Sequence, residues 1–564
     1  MLSPRFLALA LCLLLPFALF AQPKKSVIGD EQNQNSAVKT EVTLLDRVTN
    51  VPSVYLQGDT VRDNTPLEVK PQLLNLKYNA PTIKPTPLQR QTLAKTVYPF
   101  WAKAGFGVPT QPYAEVAYDN VFARKFALGL HGKYHSADNS NTLQYQAFQN
   151  WGLDGTARYY LDTAAAVGVH IGYDVRNLNF YGYDHTAASM MNLTAADVKQ
   201  RFNTLNGGVE LFSAARNDAD LSYSLNADLY NYTDNAKSAE TGITAKGELT
   251  KWFGDKHPLT VRVTEESYAY TLDTIKAAKQ NRNVLTVAPS FTWHGGAFRI
   301  KAGANLAFTS EGFKPFPDVE VLVNIADNAF TAYAGWSGSA QAQTFRSLTT
   351  YNPFIQTIPG AGMKTTLVEE RYLGFKGTVG EFNYDLRGAW MPTQNLATFN
   401  SLNTIYGVNT TDTRRFVVLY DTANMINFRA ALGATPIEHL RLDLTGEYHI
   451  YNTKNLTQAW GLPHLSAKLG ARYDLSDAFE IRADLYALGG IHNSTLEGTS
   501  APFTAVDKTL PTIVDVNLGA RYRVLKNLTI FLDLNNVTNQ QAQRWANYPN
   551  FGFNLLGGVT LRLR

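Results

Sequence analysis

His439-Leu-Arg-Leu-Asp-Leu-Thr-Gly-Glu-Tyr-His-Ile-Tyr451 alternates in chemistry along its whole length. Leu440, Leu442, Leu444, Tyr448 and Ile450 share one parity, with Gly446 among them. His439, Arg441, Asp443, Thr445, Glu447 and His449 share the other. Successive side chains on a β-strand point to opposite faces, so this stretch has one apolar face and one charged face. A soluble sandwich hides the apolar face and wets the polar one. A transmembrane barrel reverses this: the apolar face meets lipid and the charged face lines the interior.

The same design recurs elsewhere. Phe479, Ile481 and Leu485 oppose Glu480, Arg482, Asp484 and Tyr486. Leu528, Ile530, Leu532 and Leu534 oppose Thr529, Phe531, Asp533 and Asn535. Phe126, Leu128, Leu130 and Tyr134 oppose Lys125, His131, Lys133 and His135. In the last segment Leu555, Val559, Leu561 and Leu563 oppose Thr560, Arg562 and Arg564, and Leu556 is apolar on the polar side. Only closure satisfies every backbone group in lipid and removes sheet edges. An outward Arg441 or Arg482 at mid-membrane would cost about 2–4 kcal/mol each. Both are therefore expected inside, paired with carboxylates such as Asp443, Glu447 and Asp484.

From residue 97 onward the chain yields 22 strand candidates over 468 residues, among them Ala157–Asp174, Phe416–Thr422 and Ile426–Ala434. One strand with its connection then takes about 21 residues, which suits spanning strands that project beyond the bilayer. The fold class expected is all-β: a transmembrane antiparallel barrel of about 22 strands, range about 18–24. Turn chemistry punctuates the series at Gly254-Asp255-Lys256-His257-Pro258, Gly295-Gly296 and Asp477. Long loops are expected near 185–199, 340–364, 391–412 and 492–510. Tyr and Phe number 29 and 30, enough for aromatic girdles, to which Phe180, Tyr181, Tyr183, Tyr268, Tyr270, Tyr448, Tyr451 and Tyr486 are assigned.

Arg5, the apolar run Phe6–Phe20 and the small residue Ala21 read as a secretory signal peptide over residues 1–21. The run is too short to span a bilayer comfortably. The single cysteine, Cys12, lies within it, so the mature chain has no thiol for disulfides, metal sites or catalysis. Residues 22–96 carry an Asn/Gln-rich stretch and the spaced prolines Pro66, Pro71, Pro81, Pro85 and Pro87, which favours an extended periplasmic segment. Residues 97–564 are the barrel. The net charge of +4 is dispersed and gives no reason for a nucleic-acid partner.

The run Asn527-Leu-Thr-Ile-Phe-Leu-Asp-Leu-Asn-Asn-Val-Thr-Asn539, then Gln543-Arg-Trp-Ala-Asn-Tyr-Pro549, then Phe551 to Leu563, resembles the closing strands of TonB-dependent receptors. The resemblance implies a 22-stranded outer-membrane barrel. Two departures limit it. Such barrels usually end in an aromatic residue, whereas this sequence ends Leu563-Arg564. The family also carries a globular plug domain before the barrel, and the 75 residues of 22–96 are too few and too proline-broken for one. The expectation is thus a barrel without its own plug. Glu41-Val42-Thr43-Leu44-Leu45 is read as a short strand in preference to a TonB box, so TonB coupling is not expected.

No motif points to an enzyme or a cofactor. His131 and His135 share a strand face but stand about 13 Å apart, too far for one metal ion. Glu265-Glu266 and Glu369-Glu370 are adjacent, so each pair points to opposite faces and neither serves as an acid/base couple; strand ends or loops would explain them. Two functions are open. One is an outer-membrane transporter or channel lined by Arg441, Asp443, Glu447, Arg482, Asp484 and Asp533, with His131, Lys133 and His135 elsewhere on the wall. A lumen of this width needs occlusion, by segment 22–96, by inward-folded loops such as 340–364, or by another protein. The other is a structural or docking subunit of a larger membrane assembly, with lipid around it and a periplasmic or surface protein as partner.

Overall fold

In a computed structural model of the chain, the described residues are 98–563 apart from 124, 162–164, 184, 186–191, 273–278, 357–361, 402–413 and 498–503. The expectations for residues 1–97 lie outside them. Twenty-two strands form one antiparallel sheet, each beside its neighbour in sequence. The first, Phe100–Val108, pairs with the last, Asn554–Leu563, with Phe100 opposite Leu563 and Val108 opposite Leu555. The sheet is therefore a closed barrel without edges.

The alternation in the sequence sets its inside and outside. Ile171, on the strand Ala166–Asn179, is 64% exposed, and Val167 and Val169 on the same parity are exposed with it. Leu205 and Val209, Ile481 and Leu485, and Ile530 and Leu532 repeat the pattern. A soluble protein does not present continuous apolar rows of this extent. Here they form the lipid face of an outer-membrane barrel.

The connections divide into two classes. On one side they are short, two to eight residues, such as 254–256, 380–381 and 213–220. Gly254 and Asp255 both take positive φ (56° and 58°), the geometry a tight hairpin demands. On the other side they reach 23 residues, at 490–512. Short turns are periplasmic and long loops extracellular in such barrels, which orients the molecule.

The strand count of 22 matches the expectation through two cancelling differences. Ala157–Asp174 falls on two strands, Ala147–Tyr160 and Ala166–Asn179. Phe416–Thr422 and Ile426–Ala434 are one 22-residue strand, Phe416–Ile437. Much of the loop expected near 391–412 is strand, since Phe382–Ser401 continues 20 residues. Glu265-Glu266 and Glu369-Glu370 lie inside strands, not at their ends.

The aromatic girdles are also built from other residues than expected. Phe180, Tyr181, Tyr183 and Tyr270 are buried in a core, Tyr451 packs against it, and Tyr268 and Tyr486 lie on the polar parity. Of the eight, only Tyr448 is on the exposed apolar row. The outer girdle comprises Trp151, Tyr173, Trp336, Trp390 and Tyr448; Phe122, Phe126, Tyr159, Trp293 and Phe382 form the periplasmic one. Tyr159 and Phe382 stand eight residues along their strands from Trp151 and Trp390. At the usual rise and tilt that is about 20 Å, close to the apolar band of an outer membrane.

Candidate functional site

The polar parity carries ion pairs from strand to strand. Arg299 bonds Glu320 at 2.8 Å, and the Tyr372 hydroxyl donates to the same carboxylate at 2.8 Å. Arg387 meets Glu370 at 2.5 Å and lies 3.8 Å from the centre of the Tyr372 ring. Arg429 approaches Glu447 at 3.7 Å. Farther round, Arg262 bonds Glu248 and Arg158 bonds Glu210, each at 2.5 Å.

A second group centres on a transverse row of like charges. Arg441 stands opposite Arg472, and Arg472 opposite Arg482. Like charges directly opposite repel, and Arg472 and Arg482 turn to different carboxylates. Arg472 pairs with Glu480 and lies 3.6 Å from Asp474. Arg482 crosses the neighbouring strand at Gly519 and reaches Asp533 at 2.6 Å. A Cβ at Gly519 would sit 2.5 Å from Arg482 Nε, so only glycine leaves this path open. Lys103 Nζ lies 3.8 Å from the same carboxylate and 4.0 Å from the Phe531 ring centre, with its side chain 4% exposed. Phe531, Tyr113 and Leu556 form a small buried cluster around it, which explains why Leu556 breaks the alternation.

The nine expected site residues share the polar parity but do not converge on one locus. Arg482 and Asp533 are bonded to each other, and the Asp484 expected as a partner has no ion pair among the described residues. Arg441 and Asp443 are exposed and likewise unpaired among them. Glu447 is near Arg429 and His449. His131 Nε2 contacts Glu115 at 2.9 Å, His135 contacts Gln111 at 2.9 Å, and Lys133 lies 5.9 Å from the Tyr113 ring centre. Among the described residues no group of three His, Asp or Glu side chains is placed to hold a metal ion.

The long loops build something the sequence does not announce. Phe180, Tyr181, Phe202, Tyr232, Tyr270, Phe345, Phe354, Phe416, Trp545 and Tyr548 belong to one buried apolar cluster. Its members come from strand ends and from the loops 180–198, 343–364, 454–464, 490–512 and 536–553. Phe354 stacks on Tyr548 with ring centres 3.6 Å apart, and Trp545 meets both Phe416 (5.4 Å) and Tyr351 (5.7 Å).

The short helix Phe345–Tyr351 is tied to the wall at both ends. Its first turn has backbone N–H groups without intrahelical partners. Thr344 accepts from the Ser347 N–H at 3.0 Å. The Phe345 and Arg346 N–H groups donate to the fully buried Glu240 carboxylate, at 2.5 and 3.1 Å. Tyr230 donates to the same group at 2.8 Å. At the other end Arg176 donates to the Thr349 carbonyl at 3.0 Å, and Arg544 to the Tyr351 hydroxyl at 2.7 Å. Arg282 ties the far end of this loop, bonding the Met363 carbonyl, Thr365 Oγ1 (2.5 Å) and Glu311 (2.7 Å). Burial pushes the Glu311 carboxyl up, but the bond and charge of Arg282 outweigh it and hold the group below its ordinary range. Burial lowers His464, whose ring packs edge-on against Tyr451 (5.1 Å) and His492 (5.6 Å).

No family model and no curated protein matches this sequence. Solved structures do match. The siderophore receptor PirA of Acinetobacter baumannii aligns with 83% of this chain and 81% of its own, at 10% identity and a TM-score of 0.62. The FrpB iron transporter of Neisseria meningitidis aligns over 83% and 82%, at 12% identity and a TM-score of 0.64. The ferripyoverdine receptor of Pseudomonas aeruginosa, solved with ferripyoverdine bound, aligns over 83% and 72%, at 12% identity and 0.59. What this chain shares with these receptors is the fold: a closed 22-stranded barrel of the outer-membrane TonB-dependent receptor type.

Proposed function

We propose that the protein is an outer-membrane transporter or channel whose extracellular mouth is closed by its own loops. Arg441, Asp443, Glu447, Arg482, Asp484, Asp533, His131, Lys133 and His135 line the lumen in this reading, where fixed charge selects solutes by sign and size. The similar structures include a siderophore receptor and a ferripyoverdine receptor.

The observation that carries the reading is the bond from Glu240 to the first turn of the Phe345–Tyr351 helix. A buried carboxylate on the wall holding a loop helix by its unpaired N–H groups is a latch. Loss of a buried acceptor leaves those donors unsatisfied, at about 1–3 kcal/mol. In planar bilayers the wild type is expected to stay closed most of the time. Glu240→Ala should raise open probability by about 5- to 150-fold. Unchanged conductance in this variant, together with a stoichiometric partner surviving gentle solubilisation, would favour a docking subunit instead.

A further inference from the structure

Arg371 lies on the lipid-facing parity of the strand Thr365–Val379, the parity of the exposed Leu373, Phe375 and Val379. It stands in register between Trp336 on one neighbouring strand and Trp390 on the other. Its guanidinium lies 4.6 and 4.5 Å from their ring centres. A charge here costs about 2–4 kcal/mol at the bilayer midplane and about 0–1 near the interface. Trp390 is eight residues from Phe382, so the row lies about 20 Å above the periplasmic girdle, at the level of the outer-leaflet headgroups.

Just below this row the wall is hollow. Ala334 and Gly388 alternate with Val321, Leu373 and Phe428 across five strands, so two small residues form the floor between larger walls. The concavity is about 690 Å³ and its lining is mainly apolar. Glu369 lies beside Arg371 at 3.2 Å and accepts from the Trp336 indole N–H at 3.3 Å. That contact occupies one edge of the guanidinium and leaves further N–H donors. The site thus offers an oriented donor for an anion, an adjacent acceptor and an apolar trough.

We propose that this is a binding site for a phosphorylated glycolipid of the outer leaflet. The phosphate accepts from Arg371, a sugar hydroxyl donates to Glu369, and an acyl chain lies in the trough over Leu373 and Phe428. Arg371 is suited to phosphate through its planar array of donors, and the flanking indoles add attraction for the cation. The carboxylate makes a bare anion a poorer match than a headgroup carrying its own donor.

The test uses the full-length protein in detergent and native mass spectrometry. The probes are a lipid A-type phosphoglycolipid, its dephosphorylated form, phosphatidylethanolamine and inorganic phosphate. One phosphoglycolipid should be retained per barrel, and Arg371→Gln should weaken retention by about 10- to 100-fold. Arg441→Gln, on the opposite face, should leave it unchanged. Heat-modifiable migration on gels checks that both variants are folded. Equal retention by Arg371→Gln would overturn the proposal. So would equal binding of the dephosphorylated lipid or phosphatidylethanolamine, or displacement by inorganic phosphate alone.

Discussion

Arg482 reaches Asp533 at 2.6 Å only because residue 519, which its side chain crosses, is glycine. Asp533 is 5% exposed and also faces Lys103. Asp533→Ala would leave two cations on the inner wall without it, at about 3–5 kcal/mol. Gly519→Ala should cost about 1–3 kcal/mol by forcing the arginine off its path. Urea unfolding of barrels refolded into lipid vesicles reads both values; wild-type stability in the two variants would contradict this account.

The stacking of Tyr548 on Phe354 joins two loops nearly 200 residues apart in sequence. Truncating a buried aromatic costs about 3–5 kcal/mol. Tyr548→Ala should therefore release loop 536–553 while the strand ladders persist. Limited proteolysis on intact cells should cut that loop many times faster in the variant, with heat-modifiable migration retained.

Leu442 and Arg441 are adjacent and should meet different solvents. The only native cysteine, Cys12, lies in the expected leader, so introduced thiols report cleanly. A fluorophore at Leu442→Cys should be quenched by brominated lipid. One at Arg441→Cys should respond to aqueous iodide. Lipid quenching of both, or of neither, would refute the face assignment.

Acid should loosen the loops in two steps. The pKa of His464 is lowered on folding, so the unfolded loop binds the proton more readily and the contribution fades as pH falls below about 6.5. Glu311 is likewise held low, and its contribution is present above about pH 4.5 and lost as pH falls further. Protease sensitivity of the loops should rise between pH 7 and 5. His464→Phe should flatten that step, and Glu311→Gln the lower one.

The wall was readable from the sequence because a strand reports its two faces residue by residue. Parity alone puts Arg482 and Asp533 on one face; it does not give their bond, which depends on the register that sets Gly519 between them. The same holds for Arg472 and Lys103, whose roles appear only once neighbouring strands are aligned. Tyr181 and Tyr270 misled because an aromatic residue at a strand end has the same local signature whether it faces headgroups or a loop core. Glu240 gave no sign of its role, since the helix N–H groups it holds lie 105 and 106 residues away.

Pairing of Phe100–Val108 with Asn554–Leu563 has a mechanical corollary. The final strand is held on both flanks, by nine residue pairs to the first strand and eight to Leu528–Asn535. Tension applied to the C-terminal tail must therefore rupture two ladders together before any hairpin peels away. Force spectroscopy should show its tallest peak first, with lower ones as successive hairpins leave a ring that has already been breached.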